Sequence, residues 1–148
     1  MDLDAALGEL SEIYGELDRE LSRRGPRCGL SGRCCRFREY GHELWTTPLE
    51  LEYLLRHTPI PPSRPDGACP FLRGNLCGAR DHRMLGCRIY YCDPAHSPEM
   101  GPLYERYHAR IRDLHRRCGV PYRYFEFLSG IASPSATGLP IRNSLQHF

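Results

Sequence analysis

Eight cysteines in a chain of 148 residues are the side chains here most able to do chemistry. Three stand together in Cys28-Gly29-Leu30-Ser31-Gly32-Arg33-Cys34-Cys35. Cys69, Cys77, Cys87 and Cys92 follow, and Cys118 is the last. Clustered thiolates are soft donors that suit zinc, iron–sulfur clusters or Cu(I). The glycines beside the first group let backbone and sulfur turn inward around a small centre. Free cysteine also packs well as a small hydrophobe, but most of these cysteines lie in Gly- and Arg-rich segments that make a poor core. None of the spacings is the C-x2-C pair of a zinc ribbon, and neither ferredoxin pattern matches. The ligands must therefore converge from distant segments. The adjacent Cys34 and Cys35 can serve two ions of a cluster, or one can bind while the other packs.

Other chemistry-bearing residues gather near the cysteines. His82 lies between Cys77 and Cys87, and His96 closely follows Cys92, so either could complete a mixed site. His108 and His115 share a helix face, where an exposed or core-edge role is expected. All 20 basic residues are arginine, and six of them fall between Arg23 and Arg38 without an acidic residue. We read this excess as balancing the negative charge of clustered thiolates, with Arg33, Arg36 and Arg88 donating to sulfur or carbonyl groups, ahead of a phosphate-contacting patch or a solvated loop. The missing lysines exclude Schiff-base and P-loop lysine chemistry. No glycine-rich phosphate loop, HExxH or GxSxG motif is present. A Cys–His nucleophile has no specific signal among eight cysteines.

Composition sets the setting. Hydrophobic residues are 41% and charged residues 26%, as in a globular chain, and the net charge of +2 calls for no polyanionic partner. No apolar run is long enough to cross a bilayer, and the acidic opening Met1-Asp2-Leu3-Asp4 is unlike a secretory signal. The expected location is the cytoplasm, where disulfides do not persist and enriched cysteine points to metal or redox chemistry.

The elements that must position these residues are mostly helical. Leu3, Leu7, Leu10, Tyr14, Leu17 and Leu21 form one stripe of an amphipathic helix whose other face is acidic and whose stop is Gly25-Pro26. Thr47-Pro48-Leu49-Glu50 opens a second helix with a capping box, running to about His57 and burying Leu51, Leu54 and Leu55. Residues 58–67 read as an extended surface connector. Ser97-Pro98-Glu99 announces a third helix with Leu103, Tyr107, Ile111 and Leu114 on its buried stripe, ended by Gly119 and Pro121. Residues 122–128 fit a short strand or another helix. With one valine, six isoleucines and four threonines, a large sheet is not expected. The resulting expectation is a mainly α, single small domain with a loop-rich cysteine and metal core and little or no sheet. Residues 1–24 would be an amphipathic helix packed on the domain, 25–130 the cysteine-cluster domain and 131–148 an irregular tail.

The Cys28–Cys35 segment, Thr47-Pro48-Leu49-Glu50, Cys69-Pro70-Phe71-Leu72, Cys77, and Arg83 leading to Cys87-Arg88-Ile89-Tyr90 resemble the CxxCxxCC cysteine-cluster family (YkgJ-type), in order and in spacing over about residues 28–92. That family is described as zinc- or iron-chelating. The resemblance implies a small cytosolic bacterial protein binding metal through Cys28, Cys34, Cys35, Cys69, Cys77 and Cys87; some relatives carry protein-lysine methylation. Ser31 stands where the motif has its second cysteine, and Met84 where proline is usual. Cys92 and Cys118 are candidates for the ligand lost at Ser31, and Cys92 is taken as a seventh metal residue.

The expected function is metal binding with a redox, electron-transfer or sensing role. Iron–sulfur or iron is favoured over zinc because more than four cysteines converge, with Tyr90 and Tyr91 limiting solvent access. Zinc would instead give a structural or interaction module, the acidic first helix offering a surface to a protein partner. A thiol-based or methyl-transferring enzyme component is the third reading; no nucleic acid or membrane partner is expected.

Overall fold

The leucine stripe at the N-terminus forms α1 (Leu3–Arg24), in which Leu7, Leu10, Tyr14, Leu17 and Leu21 are buried together with Ala6 and Ile13. Asp2 caps it, its carboxylate accepting from the Ala5 amide at 2.7 Å. The chain is described from a computed structural model that covers residues 1–24, 35–89 and 97–133. Cys28, Ser31, Arg33, Cys34, Tyr90, Tyr91, Cys92, His96 and the tail beyond residue 133 lie outside the described residues.

Two apolar layers follow from which face of each helix is apolar. In the first, α1 packs on α5 (Ser97–Cys118), whose Leu103, Tyr107, Ile111 and Leu114 are buried as the spacing predicts. Glu9 meets Arg117, Glu16 meets Arg110 and Glu20 meets Arg106, so the two helices run antiparallel under a ladder of ion pairs. The acidic face of α1 is thus met by arginines of its own chain. Fully burying one of its leucines is worth about 1.5–3 kcal/mol, whereas each exposed ion pair contributes far less, so the stripe rather than the ladder holds the helices together.

Helix α3 (Pro48–His57) is the wall between the layers. Leu49 and Tyr53 face the helical core, while Leu51 and Leu54 belong to the second layer. Leu55, expected to be buried, is only partly so and packs at the edge of that layer. The second layer is completed by α2 (Phe37–Tyr40), the hairpin of β2 (Leu72–Arg73) and β3 (Leu76–Cys77), and α6 (Phe127–Ala132). The hairpin turns through Gly74 at φ +59, a conformation that other residues adopt at a cost. A 3-10 turn at Arg80–His82 then leads into α4 (Leu85–Ile89).

Residues 122–128, ambiguous in sequence, split between both readings. β4 (Phe125–Glu126) pairs antiparallel with β1 (Trp45–Thr46) in the register Trp45↔Glu126 and Thr46↔Phe125. The chain then enters α6, whose Ser129 amide is capped by the Glu126 carboxylate at 2.8 Å. Helix α6 runs to Ala132, past the boundary expected at residue 130. The fold is mainly α, with two two-stranded sheets among the described residues, consistent with the scarcity of β-branched residues. Among the described residues, no helix is long and apolar enough to cross a membrane.

Candidate metal centre

Cys35, Cys69, Cys77 and Cys87 come from four separate segments and meet in the second layer, around Phe71, Leu72, Met84 and Phe127. Cys35 and Cys69 are buried, whereas Cys77 and Cys87 are partly exposed, and all four are thiols. Cys118 packs at the edge of the other layer, against α1 and α5, with its Sγ 3.6 Å from the His115 carbonyl.

Backbone and arginine contacts join the segments. The Cys69 amide donates to the Cys35 carbonyl at 2.7 Å, and the Leu72 amide to the Cys69 carbonyl at 3.0 Å. Arg36 reaches the hairpin tip, donating to the Gly74 carbonyl and to Asn75 Oδ1 at 3.0 Å. Arg38 donates to the Pro65 carbonyl at 3.1 Å. Its side chain lies over Gly67, whose φ of +71 favours glycine and where a Cβ would stand 2.5 Å from Nε and displace the arginine.

Arg64 clamps the turn before Cys69. Its Nε and Nη2 donate to both Asp66 oxygens at 3.0 and 2.8 Å, and its Nη1 donates to the Leu72 carbonyl at 3.1 Å. Asp66 in turn accepts from the Ala68 amide at 3.1 Å. The Arg64 hydrogen bonds, then the Ala68 amide, hold the Asp66 carboxyl well below the usual range. Arg64 also lies close enough to Cys35 and Cys69 for any thiolate there to favour its charged form. Sequence reasoning missed this residue. Its signal was the Arg-Pro-Asp-Gly turn, in which an aspartate two residues on can take a bidentate guanidinium.

Cys87 is placed by a buried carboxylate. Leu85 and Ile89, four apart on α4, face the helical core and turn Cys87 toward the second layer. The Leu85 amide donates to Glu50 Oε1 at 2.8 Å, so a residue of α3 caps α4. Tyr14 donates to the same oxygen at 3.1 Å, and the Thr47 hydroxyl to Oε2 at 3.0 Å. The Thr47 amide also donates to Glu50, so half of the expected capping box forms; Thr47 itself makes no side-chain cap. Burial pushes the Glu50 carboxyl up, against the pull of these donors. Burial and the nearby Glu50 raise the Tyr14 phenol well above its ordinary value.

Among the arginines expected beside the thiols, Arg36 serves carbonyl and amide groups as expected. Arg88 likewise serves carbonyls, those of Arg83 and Asp81, and in addition donates to Asp18 at 2.7 Å with its guanidinium 4.0 Å from the Tyr14 ring centroid. The carbonyl of Cys87 is met by Arg83 at 3.3 Å. His82 stacks on His57 with ring centroids 4.2 Å apart. His108 and His115 are buried in α5 rather than exposed or at the core edge.

Among the described residues, no three Cys, His, Asp or Glu side chains stand together as a metal-holding group. The donor chemistry nevertheless suits a soft metal: four thiols share one apolar layer. Compared with known proteins, the chain matches no family model, no curated protein and no solved structure.

Proposed function

We propose that this chain is a metal-binding protein of the YkgJ-like cysteine-cluster kind, holding an iron–sulfur cluster or iron, with a redox, electron-transfer or sensing role. The observation that carries the reading is the sorting of cysteines: Cys35, Cys69, Cys77 and Cys87 come from four segments into one layer, and Cys118 stays in the other. Cys28, Cys34 and Cys92 are the further ligands on this reading, by the resemblance of their motif. The group itself would supply one-electron chemistry. The protein's own residues seat it: Arg64 and Asp66 fix the turn carrying Cys69, Glu50 fixes the helix carrying Cys87, and Phe71 and Phe127 exclude water.

A second reading is structural zinc, because four thiols are the complement of a closed tetrahedral site. Anaerobic purification followed by metal and acid-labile sulfide assays and a visible spectrum tests both. Iron with sulfide and charge-transfer bands is the expected result. Stoichiometric zinc in a colourless protein selects the second reading. A folded, metal-free protein indifferent to chelators overturns both.

A further inference from the structure

The end of α5 and the chain that leaves it form a second arrangement, apart from the cysteine layer. Gly119, at φ +77, ends the helix and reverses the chain, so that residues 119–124 fold back along α5. Three side-chain contacts hold this return segment down. His115 Nδ1 contacts the Val120 carbonyl at 3.1 Å, His108 Nε2 the Tyr122 hydroxyl at 2.6 Å, and the Tyr104 hydroxyl that of Tyr124 at 2.7 Å. Rings complete the cover. His108 stacks on Tyr104, and Tyr122 stands edge-on to both His108 and His115.

Both imidazoles are buried, His108 at 3% and His115 at 1% exposure, yet each has one nitrogen without a hydrogen-bond partner: Nδ1 of His108 and Nε2 of His115. A carbonyl only accepts, so the proton of neutral His115 is on Nδ1 and its Nε2 is a bare lone pair. For His108, the tautomer that avoids an unpaired N–H keeps the proton on Nε2 and donates it to Tyr122. Protonation of either ring then adds a charge and an N–H that points at no acceptor, in a site from which water is excluded.

We propose that residues 119–124 are an acid-released strap, closed while His108 and His115 are neutral and expelled when they take up protons. The charges around the site agree. Burial, then the like charge of Arg112 on the same helix, disfavours the His108 imidazolium, and Glu105 opposes this only in part. Burial is also the largest influence on His115, with the Val120 carbonyl opposing and His108 adding to it. From the strap, the groups in contact are Tyr122 and Tyr124. Tyr122 carries Arg112 over its ring at 5.4 Å, which reinforces the repulsion. From β1 only the neutral Trp45 ring reaches Tyr124, and Glu50 of α3 acts on Tyr124 rather than on either histidine. Both histidines bind protons more weakly with the strap closed. Closure is therefore fully favourable above about pH 6.5 and weakens as pH falls below that value. Beyond Tyr124 the strap continues into β4 and then to Phe127, which is fully buried in the cysteine layer.

Trp45 is the single tryptophan and lies 5.5 Å from the Tyr124 ring, so its emission reports the strap directly. The experiment follows Trp45 emission, the NMR signals of the Tyr122 and Tyr124 rings and the amide exchange of α1 in the intact protein from pH 8 to pH 5, with exchange corrected for its intrinsic pH dependence. The open population should rise about tenfold per pH unit for each histidine below about pH 6.5. The ring resonances of Tyr122 and Tyr124, whose hydroxyls hold the strap down, should move with it, while α1 amides stay protected from exchange. A His108→Gln/His115→Asn double variant keeps a donor or acceptor at each contact and should lose the transition. If that variant does not fold, each single variant should halve the steepness. Unchanged Trp45 emission and Tyr122 and Tyr124 ring signals between pH 8 and pH 5, simultaneous loss of protection in α1, or a transition that survives the substitutions would overturn the proposal.

Discussion

The amide of Cys69 donates to the carbonyl of Cys35 across 2.7 Å, joining two cysteine-bearing segments more than thirty residues apart in sequence. That bond depends on the turn before Cys69, and the turn depends on Arg64 and Asp66. Replacing Asp66 by Asn removes the charge from the bidentate contact and one of its acceptors. We expect the thiol of Cys69 to react several-fold faster with a maleimide reagent, and bound metal to fall with it. A Cys118→Ser control should leave metal content unchanged. Peptide mapping of the labelled protein checks both; an Asp66→Asn protein labelled at the wild-type rate would break the link drawn between the turn and the site.

Glu50 is a stricter case, because its partners include two backbone amides. Oε1 receives the Leu85 amide, and the carboxylate also receives the amide of Thr47. Glutamine keeps one acceptor oxygen and gains a donor –NH2, so the Leu85 and Thr47 amides and the Tyr14 and Thr47 hydroxyls cannot all keep their acceptor. Glu50→Gln should therefore cost about 1–3 kcal/mol, measured by urea unfolding. It should also raise the reactivity of Cys87, whose helix loses its cap. Unchanged stability would mean that the two amides find other acceptors.

The difference between these two residues explains what could be read from sequence. The helices at Leu3–Arg24, Pro48–His57 and Ser97–Cys118 were legible because each carries an apolar stripe and a local start or stop signal. What was not legible is long-range. Glu50 showed as a capping-box residue, but its service to Leu85, 35 residues on, depends on how α3 meets α4. Arg88 serves carbonyl groups, one of the two partners expected of it, but its contacts with Asp18 and the Tyr14 ring of α1 join segments far apart in sequence. The burial of His108 and His115 follows from the chain reversal at Gly119, which helical periodicity does not encode. The hairpin at Gly74-Asn75 and the five-residue α4 are too short to show a period at all.

The two layers should respond differently to cavities. Leu10 is fully buried between the long helices, so Leu10→Ala should cost about 2–5 kcal/mol and weaken the whole chain together. Phe127 is fully buried in the cysteine layer. Phe127→Ala should cost about 3–5 kcal/mol and should in addition admit reagents to Cys35 and Cys69. Thermal unfolding paired with thiol labelling separates the two. If Leu10→Ala exposes the thiols as selectively as Phe127→Ala, the layers are not the distinct units their packing implies.

The ion-pair ladder between α1 and α5 makes a prediction in a different pH window from the strap. The hydrogen bond from Arg117 lowers the Glu9 carboxyl, and that from Arg110 lowers Glu16. At Glu20, burial pushes upward, but hydrogen bonds from Arg106 and Tyr107 outweigh it, and the net direction is again down. Carboxyls lowered by folding contribute stability that is fully present above their unfolded value of about 4.3 and is lost as pH falls through the lowered values. Stability should therefore fall below about pH 4 with a slope that a Glu9→Gln/Glu16→Gln/Glu20→Gln variant flattens. One molar salt should weaken the ladder at neutral pH, because the Debye length there is about 3 Å. Urea titrations from pH 7 to pH 3 measure the slope. Loss of the ladder should leave the Trp45 transition near neutral pH in place, since the charges acting on His108 and His115 are those of Arg112, Glu105 and each other rather than the ladder's. If the triple variant also abolished that transition, acid would be acting on the α1–α5 contact rather than on the strap.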